Sequence, residues 1–239
     1  MPFLEHLTEL RSRLWWTVVG IVVGTVCSFL WANWLFEALS SPIRKNFENV
    51  ALIGTGPADA FLTKILVAFA SGAVLSAPNT FFQFWMFIAP GLHENERKQA
   101  MPFVLFSTMF FLIGISFCFF GVLPFAFKFF SDEFISIGLS PQIRISEYLS
   151  FVVKLLLVFG CMFEMPIIIF LLGRLGIVTH HQLKEHFRIA IVMIFVIAAI
   201  VTPPDVFTQL MLAIPLCALY YMCIFVCRYA EGLRKKSID

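Results

Sequence analysis

Apolar residues along this chain come in long, nearly unbroken runs, rather than in the two-residue alternation of a half-buried strand or the narrow stripe of a soluble helix. Crossing about 30 Å of hydrocarbon takes roughly 20 mostly apolar residues. Cutting the chain where charge and turn residues cluster gives six segments, at 14–36, 61–89, 100–127, 148–173, 189–202 and 206–227. The pattern predicts an all-α membrane protein of six transmembrane helices in a single polytopic domain covering 1–239. Only Pro203, Pro204 and Asp205 separate the last two segments, so these should form a tight helical hairpin. The fifth segment reaches only roughly 21 Å at 1.5 Å per residue. That length implies local bilayer thinning or a re-entrant hairpin, and helices 5 and 6 are both expected to be short. Pro78, Pro102, Pro124, Pro166 and Pro215 fall in or near spans, where each removes a helical donor and bends the helix. Kinked helices of this kind build a concave, cup-like bundle. Ordinary membrane-helix proline, with its freed carbonyls satisfied by neighbours, accounts for them equally well.

Composition removes any soluble alternative. Hydrophobic residues make up 60% of the chain and charged residues 13%, against about 25% charged in an ordinary soluble domain. The net charge of +2 is too small to suggest nucleic-acid binding. Its distribution is informative. One set of loops and ends holds Arg11, Arg13, Arg97, Lys98, Arg174, Lys184, Arg188, Arg228, Arg234, Lys235 and Lys236, and the opposite set holds Arg44, Lys45 and Arg144. The positive-inside rule then puts both termini in the cytoplasm. Lys64, Lys128 and Lys154 lie at or inside span ends, where long side chains snorkel to the interface. The first run, with Glu5 and Glu9 ahead of it, is too long and too acidic at its start for a signal peptide and reads as a retained span. The external segments 37–60 and 129–147, rich in Pro and Gly, should be ordered caps, with Pro42 in the first. All six cysteines lie in apolar runs and read as reduced packing residues.

Enzyme templates fail. There is no phosphate-binding loop of the Walker type, no His-Glu-x-x-His zinc spacing in the stretch from His180 to His186, and no nucleophile elbow, so neither a catalytic role nor a cofactor is expected. Glu164 stands out, a carboxylate inside the fourth span and about ten residues from both Lys154 and Arg174. A charge at mid-membrane costs about 2.5–3.5 kcal/mol on insertion scales, so it must be protonated, paired or facing water. It is either an intramembrane polar site or a neutral structural acid. Glu5, Glu9, Glu94 and Glu96 lie among the cytoplasmic cations. Carboxylates there suit an incoming guanidinium, whose planar fork donates two hydrogen bonds; the bland reading is a solvated loop with weak local ion pairs. Thr202, Asp205 and Gln209 form a polar edge to the last hairpin. There Asp205 either caps the sixth helix or, with its neighbours, meets a partner helix.

At these residues the sequence resembles the TatC family, the receptor subunit of the twin-arginine protein translocase. The matching stretches are His6-Leu-Thr-Glu9-Leu-Arg11-Ser-Arg13-Leu, Ser76-Ala-Pro78, Phe84-Trp85-Met-Phe87-Ile-Ala-Pro90-Gly-Leu with Glu96-Arg97 following, Ser150-Phe, Phe163-Glu164-Met-Pro166 and Thr202-Pro-Pro-Asp205-Val-Phe-Thr-Gln209-Leu. The resemblance implies a multi-pass protein of the cytoplasmic (inner) membrane that recognises folded cargo bearing a paired-arginine signal peptide. It places signal binding on Glu9 and Glu96, with Arg11, Phe87 and Arg97 shaping the same surface. It also places the embedded acid on Glu164, partner-subunit contact on Thr202 and Gln209, and a cap position on Pro42. Implied partners are single-span subunits of the TatA and TatB type, membrane lipid and further copies of the chain; the energy source is the proton gradient. Lys154 departs from the family pattern. Two rivals remain at this stage, a proton-coupled transporter of a small solute using Glu164 and a passive scaffold for partner helices.

Overall fold

The computed structural model describes residues 3–47, 50–88, 100–139 and 141–236, and these are overwhelmingly helical. They form two compact units, one from residues 1–112 and 127–153, the other from 113–126 and 154–239.

The first unit begins with α1 (Phe3–Phe29) and α2 (Ala32–Asn46), followed by β1 (Ala51–Ile53), α3 (Asp59–Leu75) and α4 (Ala77–Ile88). The first span was expected to run to residue 36, but α1 ends at Phe29. Two tight bonds, Leu30 N–H to the Cys27 carbonyl and Trp31 N–H to the Ser28 carbonyl, turn the chain into α2. An apolar run carries no mark of such a turn. The second span is broken: α3 and α4 meet at a 52° bend. Pro78 has no N–H to continue the ladder, and Ser76 satisfies a carbonyl freed at the break, its Oγ donating to Ala73 O at 3.1 Å.

α1 and α3 cross closely enough that a Cβ on Gly72 would stand 2.4 Å from the Thr25 nitrogen, and one on Gly24 would stand 2.5 Å from the Gly72 carbonyl oxygen. Only glycine permits that approach. The described parts of the two segments expected to be caps are joined by a device the sequence does not announce. β1 pairs in parallel with β2 (Gln142–Arg144), Leu52 opposite Ile143. Tyr148 ties the same region by donating from its hydroxyl to Leu39 O at 2.7 Å.

α5 (Ala100–Phe117) starts in the first unit and passes through a π turn, Cys118–Val122, into α6 (Leu123–Ser136). The wide turn sits just before Pro124, which cannot donate to the carbonyl four residues back. Continuous helix therefore runs nine residues beyond the expected end at 127.

The second unit holds most of α7 (Ile145–Phe163), then α8 (Met165–Leu175), α9 (His180–Glu185), α10 (Phe187–Val201) and α11 (Val206–Lys236). α8 lies along α11, with Gly173 fitted against Cys227 and Ala230. Where α5 meets α7, a Cβ on Gly114 would stand 2.7 Å from the Phe159 carbonyl oxygen and 2.9 Å from the Phe163 side chain, so the glycine lets the two helices approach closely. The fifth apolar helix, α10, has 15 residues and is short as expected. The sixth is not: α11 has 31 residues, because nothing between Cys227 and Lys236 breaks a helix, and its last turns are charged.

Among the described residues, four helical stretches are long and apolar enough to cross a membrane, and the bent pair α3 and α4 makes a fifth; α10 is apolar but shorter. Cysteine packing holds for Cys118, Cys223 and Cys227, which are buried, whereas Cys161 is exposed.

Candidate functional site

The cytoplasmic site expected from sequence is partly visible. Glu9 and Arg13 lie one turn apart on α1, and Arg13 Nη2 donates to Glu9 Oε1 at 3.4 Å. The other guanidinium nitrogen, Nη1, donates to Gln83 Oε1 on α4 at 3.3 Å. Both bonds are long beside the roughly 2.8 Å of a strong charge-assisted bond, and the ion pair uses one carboxylate oxygen. Gln83 is buried.

One turn before it, Asn79 Nδ2 donates to the Trp16 carbonyl at 3.2 Å, in the space left by Gly20. One turn after it comes Phe87, in the last turn of α4. Asn79, Gln83 and Phe87 thus share one row of α4, and the first two amides face α1. Sequence reading missed this row. Two amides four residues apart in an otherwise apolar helix were the available signal.

Arg11 is not brought to Glu9. Two residues along a helix rotate a side chain by about 200°, and Arg11 stands exposed on the other side of α1. There it lines, with Thr8, Ser12, Leu14, Trp15 and Val18, a groove of about 640 Å³. Glu94, Glu96, Arg97 and Lys98 lie outside the described residues.

Glu164 occupies the junction of α7 and α8 and is 7% exposed. Its carbonyl accepts from both Ile167 and Ile168 N–H at 3.1 Å. Pro166 is buried in the first turn of α8, so the break and the acid coincide. Lys154, exposed, lies nine residues into α7, roughly 13 Å from its start.

At the hairpin, Asp205 caps α11. Its Oδ1 accepts from Thr208 N–H at 2.7 Å, and its Oδ2 accepts from the Thr208 hydroxyl. Thr202, buried, donates its hydroxyl back to Ala198 O at 2.8 Å. Gln209 Nε2 donates to Phe195 O at 3.0 Å, which ties α11 to α10. Pro42 is buried inside α2.

The stretch from His180 to His186, which lacks the zinc-binding spacing, holds a short helix with no buried residue. A capping box between Thr179 and Gln182 starts α9. Glu231 of α11 accepts from both the His180 backbone N–H (2.6 Å) and its Nδ1 (2.7 Å).

Bent and broken apolar helices, with a polar row between α1 and α4 and a buried acid at a helix break, are those of a multi-pass integral membrane protein. The profile of the Sec-independent protein translocase protein (TatC) family matches residues 5–215, and the chain belongs to that family. It is 40% identical over 237 residues to the TatC protein of Desulforapulum autotrophicum, covering 99% of this chain and 87% of that one. The TatC proteins of Aquifex aeolicus and Escherichia coli K12 are 38% and 36% identical, over 99% and 97% of this chain and 98% and 90% of theirs. A crystal structure of a twin-arginine translocase receptor, TatC, matches with a TM-score of 0.88 at 38% identity, over 94% of this chain and 99% of that one. The chain is therefore a translocase component with a transport role, which displaces the small-solute transporter considered from sequence alone.

Proposed function

We propose that this protein is the receptor that binds paired-arginine signal peptides of folded cargo, with Glu9 and Glu96 as the two arginine acceptors. The observation that carries this reading is the state of Glu9. Its carboxylate already holds a guanidinium, through one oxygen and at a long 3.4 Å. A weak, partly exposed pair of this kind is worth at most about 1 kcal/mol, so an incoming arginine that bonds both oxygens displaces it at little cost. Gln83 keeps a place for the released Arg13. Phe87 stands one turn from Gln83 and shapes the surface, and Arg97 acts beside Glu96.

The charge asymmetry of the loops supports an inner-membrane protein with both termini cytoplasmic. Glu164 serves the transport step rather than recognition. Thr202 and Gln209 mark where single-span subunits of the TatA and TatB type dock. The protein does no chemistry of its own, and the proton gradient drives transport.

Binding of an Arg-Arg signal peptide and its Lys-Lys counterpart to wild type, Glu9→Ala and Glu96→Ala tests the arginine clamp. Arg-Arg should bind wild type at least about tenfold more tightly, the worth of one charge-assisted bond, and lose that advantage in each variant. Equal affinities across all combinations would sink it.

A further inference from the structure

The exposed side of α1 forms a single apolar stripe that ends in aromatic and then basic residues. Val18, Val22, Val26 and Leu30 follow one another at four-residue spacing, and their exposure rises from 44% to 77%. Only 11% of the most apolar window of α1 is buried. At the turn into α2 the stripe meets Trp31 and Trp34, which are 63% and 67% exposed.

α2 cannot turn these residues inward, because its other side is committed. Ala32, Ser40, Pro42 and Ile43 are buried, Tyr148 holds the Leu39 carbonyl, and the helix ends at Phe47, whose ring packs edge-on against Phe134. At about 100° per residue, Trp34, Ser41 and Lys45 fall in one line on the outer side, with Trp31 and Arg44 to either side of it. Both cations are exposed. Among the described residues neither is ion-paired, and Glu37 is the one acid on that side of α2.

A stripe that fits acyl chains, followed by indoles and then by cations, is the order met on passing from hydrocarbon into headgroups. Two adjacent cations against one acid favour a negatively charged headgroup.

We propose that the outer side of α2, with Trp31, Trp34, Arg44 and Lys45, binds anionic phospholipid, the indoles at the base of the headgroups and the cations on the phosphates. The proposal rests on the end of α1 and the outer side of α2 alone and holds whichever face of the membrane they meet, so its failure leaves the signal-peptide reading untouched.

The test uses the full chain with Trp15→Phe and Trp16→Phe, in nanodiscs. Trp31 and Trp34 then report, since Trp85 is buried. Fluorescence is quenched with phosphatidylglycerol or phosphatidylcholine brominated near the headgroup end of the chains, each at the same minor fraction. The expected result is an apparent preference of at least about fivefold for the anionic lipid, the change that one surface cation brings. Arg44→Gln with Lys45→Gln should abolish the preference while quenching persists and thermal unfolding is unchanged. Equal quenching by the two lipids in the parent, or a preference that survives loss of both cations, overturns the proposal. So does absence of quenching by either lipid, which would show the side covered by protein.

Discussion

Glu9 stands near a helix end with its side chain 24% exposed and a cation of its own helix beside it, whereas Glu164 is buried at a break between two apolar helices. For Glu9, exchanging one guanidinium for another costs little, because neither partner is taken far from water. For Glu164, charge at mid-span carries the insertion cost of about 2.5–3.5 kcal/mol, so any task there must involve a polar interior and not capture of a soluble peptide. In the function we propose, one residue type thus serves two purposes, set by surroundings rather than by chemistry.

The largest effect comes from removing the ground under Glu9. In Gly72→Leu the new side chain meets the Thr25 nitrogen and the Gly24 carbonyl carbon, 2.4 and 2.7 Å from an ideal Cβ. Backbone cannot step aside as a side chain can, so α1 and α3 must part, at an expected cost on the order of 3 kcal/mol. Yield of folded protein in detergent and its thermal midpoint should both fall sharply. Gly121→Ala, whose nearest neighbour is 4.0 Å from the new atom, should change neither.

The comparison itself is sharpened by Glu164→Gln. This variant keeps the shape and removes the charge, and signal-peptide affinity should stay within about twofold while transport of folded cargo drops at least about tenfold. Affinity measured on the purified chain and transport measured in vesicles separate the two. A loss of affinity in Glu164→Gln would move that residue into the recognition site and collapse the distinction.

What was legible in the sequence follows from how each feature is encoded. Apolar run length located the helices, and the Pro203-Pro204-Asp205 breaker located the hairpin, because both are local. The turn at Trp31 was invisible, since a break inside an apolar run changes no composition. The β1 and β2 pairing joins two three-residue segments about 90 residues apart and has no local signature. Arg11 was assigned to that surface by the family resemblance, as a residue that shapes it, and helical periodicity puts it on the side of α1 away from Glu9. Asp205 had been balanced between cap and partner contact, and its two bonds to Thr208 give it the cap. At the proposed recognition site, Glu9 was legible as a carboxylate among cations, with Arg13 one turn on, but the bond to Gln83 emerged only once α4 lay beside α1.

That pair offers a smaller test. Gln83→Leu removes the acceptor for Arg13 Nη1 and leaves the guanidinium free to close on Glu9. A tighter internal pair should weaken Arg-Arg peptide binding by roughly threefold to tenfold, the range of one hydrogen bond, with the Lys-Lys peptide affected less. Calorimetric titration of both peptides reads the difference. Unchanged affinity would mean that Arg13 does not compete for the Glu9 carboxylate.

The smallest expected effect is at Asp205, and it bounds the comparison from outside both acids. Its carboxylate satisfies the Thr208 N–H at 2.7 Å, one of the donors a helix start leaves without an intrahelical partner. Asp205→Ala should cost about 1 kcal/mol and lower the thermal midpoint slightly. Asp205→Asn, which keeps an acceptor at the same place, should recover most of it. If partner subunits instead need the charge at Asp205, then Asp205→Asn will fail in assembly as badly as Asp205→Ala while matching wild type in stability. Co-purification of the single-span subunits, measured beside the unfolding midpoint, therefore distinguishes a residue that starts a helix from one that meets a partner.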